Sequence, residues 1–177
     1  MAAPSSLMNM LTIRPERPDQ ADVVALLGAL DAYLATLYPP EANHILGVPE
    51  LLAPEIRFLV ARRGGRAVGT GAARVMAGEP ATDGRAYGEI KRMYVDPAER
   101  GQRIGEQVLA ALERQLATEG VGLALLETGA EQAAAVRLYT SMGFRPIAPY
   151  VFNPIEDALF LGLELSPPAA PPGRASP

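Results

Sequence analysis

The chain has 177 residues, 49% of them hydrophobic, with a formal net charge of −4 and no cysteine. That length suits one domain with a sizeable core, and an acidic balance with no basic run longer than Arg62-Arg63 argues against a nucleic-acid surface. The missing cysteines exclude disulfides, thiolate metal sites and an acyl-cysteine intermediate, and no apolar stretch has transmembrane length, so a cytoplasmic protein without metal or membrane contact is expected.

Taken in chain order, Met1 to Met10 has no clear period and reads as a flexible tail. Leu11 to Arg14 reads as a short strand, and Gln20 to Leu37 as a helix with Val23, Leu27, Leu30, Leu34 and Leu37 on its core stripe. The segment around Pro49 to Pro54 is too weak to assign. Arg57 to Arg63 and Arg66 to Val75 are strands around Gly64-Gly65, a dipeptide suited to the positive φ angles of a tight hairpin turn. Ile90, Met93, Tyr94 and Val95 mark a strand opening at Glu89 and closed by Asp96-Pro97. Ile104, Val108, Leu112 and Leu116 recur every four residues on one helix face, with Gly120 at its C-terminal end. Leu123 to Glu127 is apolar enough for a central strand, and Gln132 to Met142 is a helix closed by Gly143. Phe144 to Ala148 and Ala158 to Leu165 complete the set, the latter an edge strand on which a homodimer could pair. The Pro/Ala-rich 167–177 stretch cannot bury enough surface to offset its ordering entropy, so the domain is expected over residues 11–166.

The order β-α-β-β-β-α-β-α-β-β is mixed α/β. A parallel pairing of the Glu89 strand with the Leu123 strand, joined by the Ile104 helix, makes a right-handed crossover with a ligand site at the strands' carboxyl ends. Between strand and helix lies Arg100-Gly101-Gln102-Arg103-Ile104-Gly105. Glycines let the backbone approach an anion there, and the helix N-terminus offers unpaired donors, so a phosphorylated ligand is expected.

These residues resemble a known family. RGQRIG is similar to the pyrophosphate-binding signature of the GCN5-related N-acetyltransferases, Gln/Arg-x-x-Gly-x-Gly/Ala, with Arg103 standing where glycine is usual. Gln132 to Phe144, QAAAVRLYTSMGF, resembles the family's Asn-x-x-Ala-hydrophobic-x-Leu-Tyr-x-x-x-Gly-Phe, with Gln132 in place of Asn. The resemblance implies a mixed, mostly antiparallel sheet of about six to seven strands with a splayed parallel central pair, flanked by helices. It implies acetyl-CoA as co-substrate. Its arm would lie against Met93, Tyr94 and Val95, its diphosphate on the amides of Arg100, Gly101, Gln102, Arg103, Ile104, Gly105 and Glu106, with Gln132 beside it.

Acetyl transfer to an amine by direct attack needs an oxyanion site, an acid for the thiolate and a route for the amine's proton. The resemblance gives Tyr139 the acid role, against a plain core aromatic at helical spacing. Glu89 is the candidate base, against a solvated strand-end carboxylate or proton loss through water. The loop LYPPEANHIL, Leu37 to Leu46, resembles an element of a bacterial acetyltransferase subgroup and brings Tyr38, Glu41, Asn43 and His44 to the acceptor, expected to be a small polar amine. Otherwise these residues form a cap-and-turn cluster. Alternation puts Lys91 and Arg92 on opposite faces of their strand, where a solvated edge is the simpler reading. A P-loop, a dinucleotide fingerprint and a nucleophile elbow are all absent. The competing reading is a non-catalytic module that senses acyl-CoA or a metabolite in the same cleft.

Overall fold

The computed structural model describes residues 10–40 and 44–167. The expected tails therefore lie almost wholly outside the described residues. One seven-stranded sheet runs in the order β1-β2-β3-β4-β5-β7-β6, built from β1 (Leu11–Pro15), β2 (Ile56–Arg63), β3 (Arg66–Met76), β4 (Tyr87–Val95), β5 (Leu123–Gly129), β6 (Arg145–Pro146) and β7 (Ala158–Glu164). Among the described residues four α-helices accompany it: α1 (Ala21–Leu37), α2 (Val48–Leu51), α3 (Ile104–Thr118) and α4 (Ala133–Ser141). β4 and β5 pair in parallel and every other neighbouring pair is antiparallel.

The run Phe58-Leu59-Val60-Ala61 explains the layering, because successive strand residues point to opposite faces and here both faces are buried. Phe58 and Val60 pack with Val23, Leu26 and Leu27 of α1 and with Leu51 of α2. Leu59 and Ala61 pack instead with Ile104, Val108, Leu109, Leu112 and Leu116, the core stripe of α3. Truncating any of these leucines to alanine costs about 2–5 kcal/mol. Helix α3 comes this close because β3 and β4 offer glycine beneath it: a Cβ on Gly71 would stand 2.6 Å from Val108, and one on Gly88 would stand 2.4 Å from Leu116.

Most expected elements form within a residue or two of their predicted bounds. The hairpin turn at Gly64-Gly65 has φ of +56° and +80°, which a two-residue turn of this hand requires. One unassigned segment takes shape and two expectations are corrected. The Pro49 region forms the short α2, where Pro49 in the first turn has a preset φ and Leu51 is buried. The strand expected over Phe144 to Ala148 keeps only Arg145–Pro146 in its ladder. β7, read as an open edge, lies between β5 and β6: β6 pairs with Leu161 and Gly162, and the Ile147 N–H donates to the Phe160 carbonyl. The edges of the sheet are β1 and β6.

Candidate active site

β4 and β5 are joined at two rungs only, Gly88 with Ala124 and Glu89 with Leu125. Beyond Glu89 the strands part, so the β5-facing edge of β4 from Ile90 onward has no strand partner. The opening is widened by a bulge. Thr70 pairs with Tyr94 and Ala72 with Lys91, which leaves Gly71 facing both Arg92 and Met93. Arg92 takes φ +57°, a conformation that costs a non-glycine residue about 1–2 kcal/mol, and the Thr70 hydroxyl holds its carbonyl at 3.0 Å.

At the far end of β4 the chain turns through Asp96, whose carboxylate accepts from the Ala98 N–H at 3.0 Å, into the loop before α3. Gly101 (φ +80°) and Arg103 (φ +58°) are both left-handed. Such turns curl successive N–H groups into an anion-sized hollow. No backbone N–H from Gly101 to Glu106 donates to any partner among the described residues. The substitution of arginine for the usual glycine at 103 thus carries a conformational strain, and its guanidinium pairs with Glu106 at 2.6 Å while remaining 79% exposed. Arg100 donates to the Val95 carbonyl and lies over the Tyr94 ring. The loop is braced from the β2–β3 hairpin, where Arg63 and Arg66 each reach the Glu99 carboxylate at 2.7 Å. Gln102 turns its side chain into this brace, toward Arg63 and Glu99.

Three hollows follow one another along the opening. The first, about 240 Å³, is walled by Arg100, Gly101, Arg103, Ile104, Gly105 and Glu106. The second, about 250 Å³, shares Val95, Arg100, Gly105 and Leu138 with the first and adds Met93, Tyr94 and Gln132. The third, about 120 Å³, shares Leu30, Met93, Gln132 and Tyr139 with the second. Apart from Gln102, every residue expected to hold the co-substrate lines this trench. Tyr139 stands where the second and third hollows meet, 7% exposed and packed on Phe144, and burial pushes its phenol above the usual range.

The third hollow brings together residues far apart in the chain. Tyr38 and His44 line it; Glu41 and Asn43 lie outside the described residues. Lys91 and Arg92 line it too, which corrects both the opposite-face and the solvated-edge readings: the left-handed residue at the bulge breaks the two-residue alternation. Lys91 meets Glu89 at 3.1 Å, and Arg92, its side chain 4% exposed, pairs with Asp31 of α1. Glu89 is buried one layer behind the hollow. Its Oε1 takes the Lys91 ammonium and a hydrogen bond from Tyr150 at 3.1 Å, so burial and this carboxylate together push the Tyr150 phenol upward.

Glu127 was missed as a site residue. Its carboxylate lines the hollow 3.4 Å from His44 Nδ1, and its side chain is 10% exposed. The available signal was a lone carboxylate in an otherwise apolar central strand. Among the described residues no cluster of metal-ligating side chains occurs, and no helix is long and apolar enough to cross a membrane.

The match to a family model, "Acetyltransferase (GNAT) family", spans residues 27–144, from α1 through the end of α4. The chain belongs to the GNAT acetyltransferase family. This GNAT chain is 44% identical over 151 residues to the "IAA acetyltransferase" of Azospirillum brasilense, covering 84% of the chain and 95% of the relative. A candidate acyl-CoA N-acyltransferase structure from Klebsiella pneumoniae is 35% identical with a TM-score of 0.72, over 89% of this chain and 99% of that one. The structure of yncA from Salmonella typhimurium with its cofactor acetyl-CoA shares the fold at 24% identity and a TM-score of 0.64, over 93% and 99% of the two chains. The protein is thus an acyltransferase, and the reading as a non-catalytic sensor gives way.

Proposed function

We propose that this GNAT enzyme moves the acetyl group of acetyl-CoA to the amine of a small polar molecule by direct attack in a ternary complex. The observation that carries the proposal is the row of three hollows that share wall residues, from an anion-sized loop whose amides lack partners among the described residues, past the open edge of β4, to a hollow lined by ionisable side chains. Acetyl-CoA supplies an activated thioester. The loop from Arg100 to Glu106 fits its diphosphate because fixed N–H donors and the α3 N-terminus favour negative charge. Arg103 neutralises Glu106, a carboxylate that would otherwise repel a phosphate from that helix end. The open edge of β4 at Met93 and Val95 offers backbone groups to an extended amide-bearing arm, and N–H dipoles at the bulge suit a developing oxyanion.

Tyr139 stands at the junction where the thioester sulfur would lie. Because its phenol is held protonated, it serves as a hydrogen-bond donor to the departing thiolate. The acceptor is small because the hollow holds about 120 Å³, and polar because Tyr38, His44, Lys91, Arg92, Glu127 and Asn153 line it. The name of the Azospirillum relative, an acetyltransferase of IAA, supports a small-molecule acceptor. The test is thiol release from acetyl-CoA across a panel of amino acids, amino-acid amides and diamines, with calorimetry of CoA binding alongside. Saturable thiol release with at least one amine is expected. Tight CoA binding without release across the whole panel would defeat the proposal.

A further inference from the structure

We infer that Glu127 docks the acceptor amine as an ammonium ion and that His44 takes its proton, an assignment that rests on the acetyl-transfer reading above. Two buried side-chain polar atoms of this one hollow lack a partner among the described residues, Arg92 Nε and Glu127 Oε2. Such atoms cost stability unless something fills their hydrogen bonds. The charges around the hollow say what is missing. Lys91 is matched by Glu89 and Arg92 by Asp31, whereas among the described residues Glu127 meets only the His44 ring, at 3.4 Å, rather than an ammonium or guanidinium. One buried carboxylate is therefore left without a full counter-charge. A cationic amine supplies it.

The exposures of the two partners differ in the sense this role needs. The Glu127 side chain is 10% exposed and stays in place, while His44 is 40% exposed and can hand a proton to solvent. Among the described residues, the groups facing His44 across the hollow are Glu127 on β5, Lys91 and Arg92 on β4, Tyr139 on α4, and Tyr38 and Asn153 on the flanking loops. Glu89 is less suited to the task, since its Oε1 already holds Lys91 and Tyr150 and it does not line the hollow.

The proton balance follows. The ammonium gives one proton to His44, whose imidazolium then pairs with Glu127. The freed nitrogen lone pair attacks the thioester carbonyl carbon, the C–N bond forms, the C–S bond breaks and its electron pair leaves on sulfur. The second amine proton ends on that sulfur, relayed by the Tyr139 hydroxyl, which gives one proton and receives one. His44 releases its proton to water, so one proton is lost to solvent per turnover.

The experiment measures kcat/KM against pH for the wild type, His44→Gln and Glu127→Gln with the best amine of the panel. In parallel, the imidazole signal of the chain's single histidine is followed by NMR in CoA-saturated protein as amines, and then the matching alcohols, are added. The wild type should level off well below the amine's own pKa, whereas His44→Gln should climb tenfold per pH unit toward about pH 10, where the free amine is neutral. Glu127→Gln should raise the amine KM by about tenfold or more, the loss of one charged contact, with CoA affinity unchanged. The imidazole signal should respond to amines in the wild type, not to alcohols, and not in Glu127→Gln. Superimposable profiles for the wild type and His44→Gln would overturn the base role, and an imidazole indifferent to every amine would overturn the docking role. Absence of thiol release with an amine-responsive imidazole would instead sink the transfer reading and the base role while upholding the docking.

Discussion

Gly129→Ala isolates one contact that shapes the acceptor hollow. Gly129 ends β5 outside the left-handed region, so alanine meets no backbone strain there, but its Cβ would stand 1.7 Å from Tyr38 Oη and 2.4 Å from Cζ. No real Cβ tolerates such distances, and the Tyr38 ring must leave its seat. Overpacking of this kind costs about 1–3 kcal/mol. For a domain of this size that corresponds to a fall in Tm of roughly 2–12 °C, read by calorimetry. Because Tyr38 lines the third hollow and neither hollow nearer the phosphate loop, the amine KM should rise while CoA affinity holds. The decisive control is the double-mutant cycle with Tyr38→Ala, in which the cost of adding the methyl group should nearly vanish. An unchanged Tm in Gly129→Ala, or an equal loss with and without the Tyr38 ring, would refute the assigned contact.

Three further outcomes are expected. Tyr139→Phe should lower kcat by roughly 100-fold with little change in CoA affinity, measured by stopped thiol assays and calorimetry, because the ring remains and only the donor is lost. Glu89→Gln should destabilise the fold by about 1–3 kcal/mol in urea titrations, since Lys91 loses its counter-charge, yet it should keep the acidic limb of kcat/KM if His44 carries the proton. Burial pushes the half-buried Glu113 carboxyl from 4.5 up to about 7, with one oxygen lacking a partner. Its folded form thus binds the proton more tightly than the unfolded form, so stability is present below the unfolded value and is lost as pH rises toward and past about 7. After allowance for solvent screening, urea unfolding at pH 5 and pH 8 should differ by on the order of 1–2 kcal/mol from this group, and Glu113→Gln should abolish that difference.

Much of this arrangement was legible in the chain because it follows from local periodicity. The order of elements, the positive φ turn at Gly64-Gly65 and the left-handed loop from Arg100 to Gly105 all rest on short-range patterns. What escaped depended on departures from pattern or on distant partners. The bulge at Arg92 is carried by a non-glycine residue in a left-handed conformation, so nothing in the alternation of β4 announced that Lys91 and Arg92 would share a hollow. Glu127 and His44 meet only because α1, the loop after it and the parting strands converge. In sequence one is a stray charge in an apolar strand and the other a lone histidine beyond two prolines. The edge reading of β7 failed because Arg145, Pro146 and Ile147 pair with its centre, Phe160 to Gly162.

Because β4 and β5 part after two rungs, the two proposed recognition problems lie end to end along one opening. On the loop side, the proposed diphosphate would be gripped by main-chain atoms that every residue possesses, so mutation there should be largely silent so long as the curvature survives. On the far side, identity is written in interchangeable side groups hung from different elements. Under the proposed function, a lineage could rewrite which acceptor it takes, one substitution at a time, without renegotiating its hold on the acyl donor.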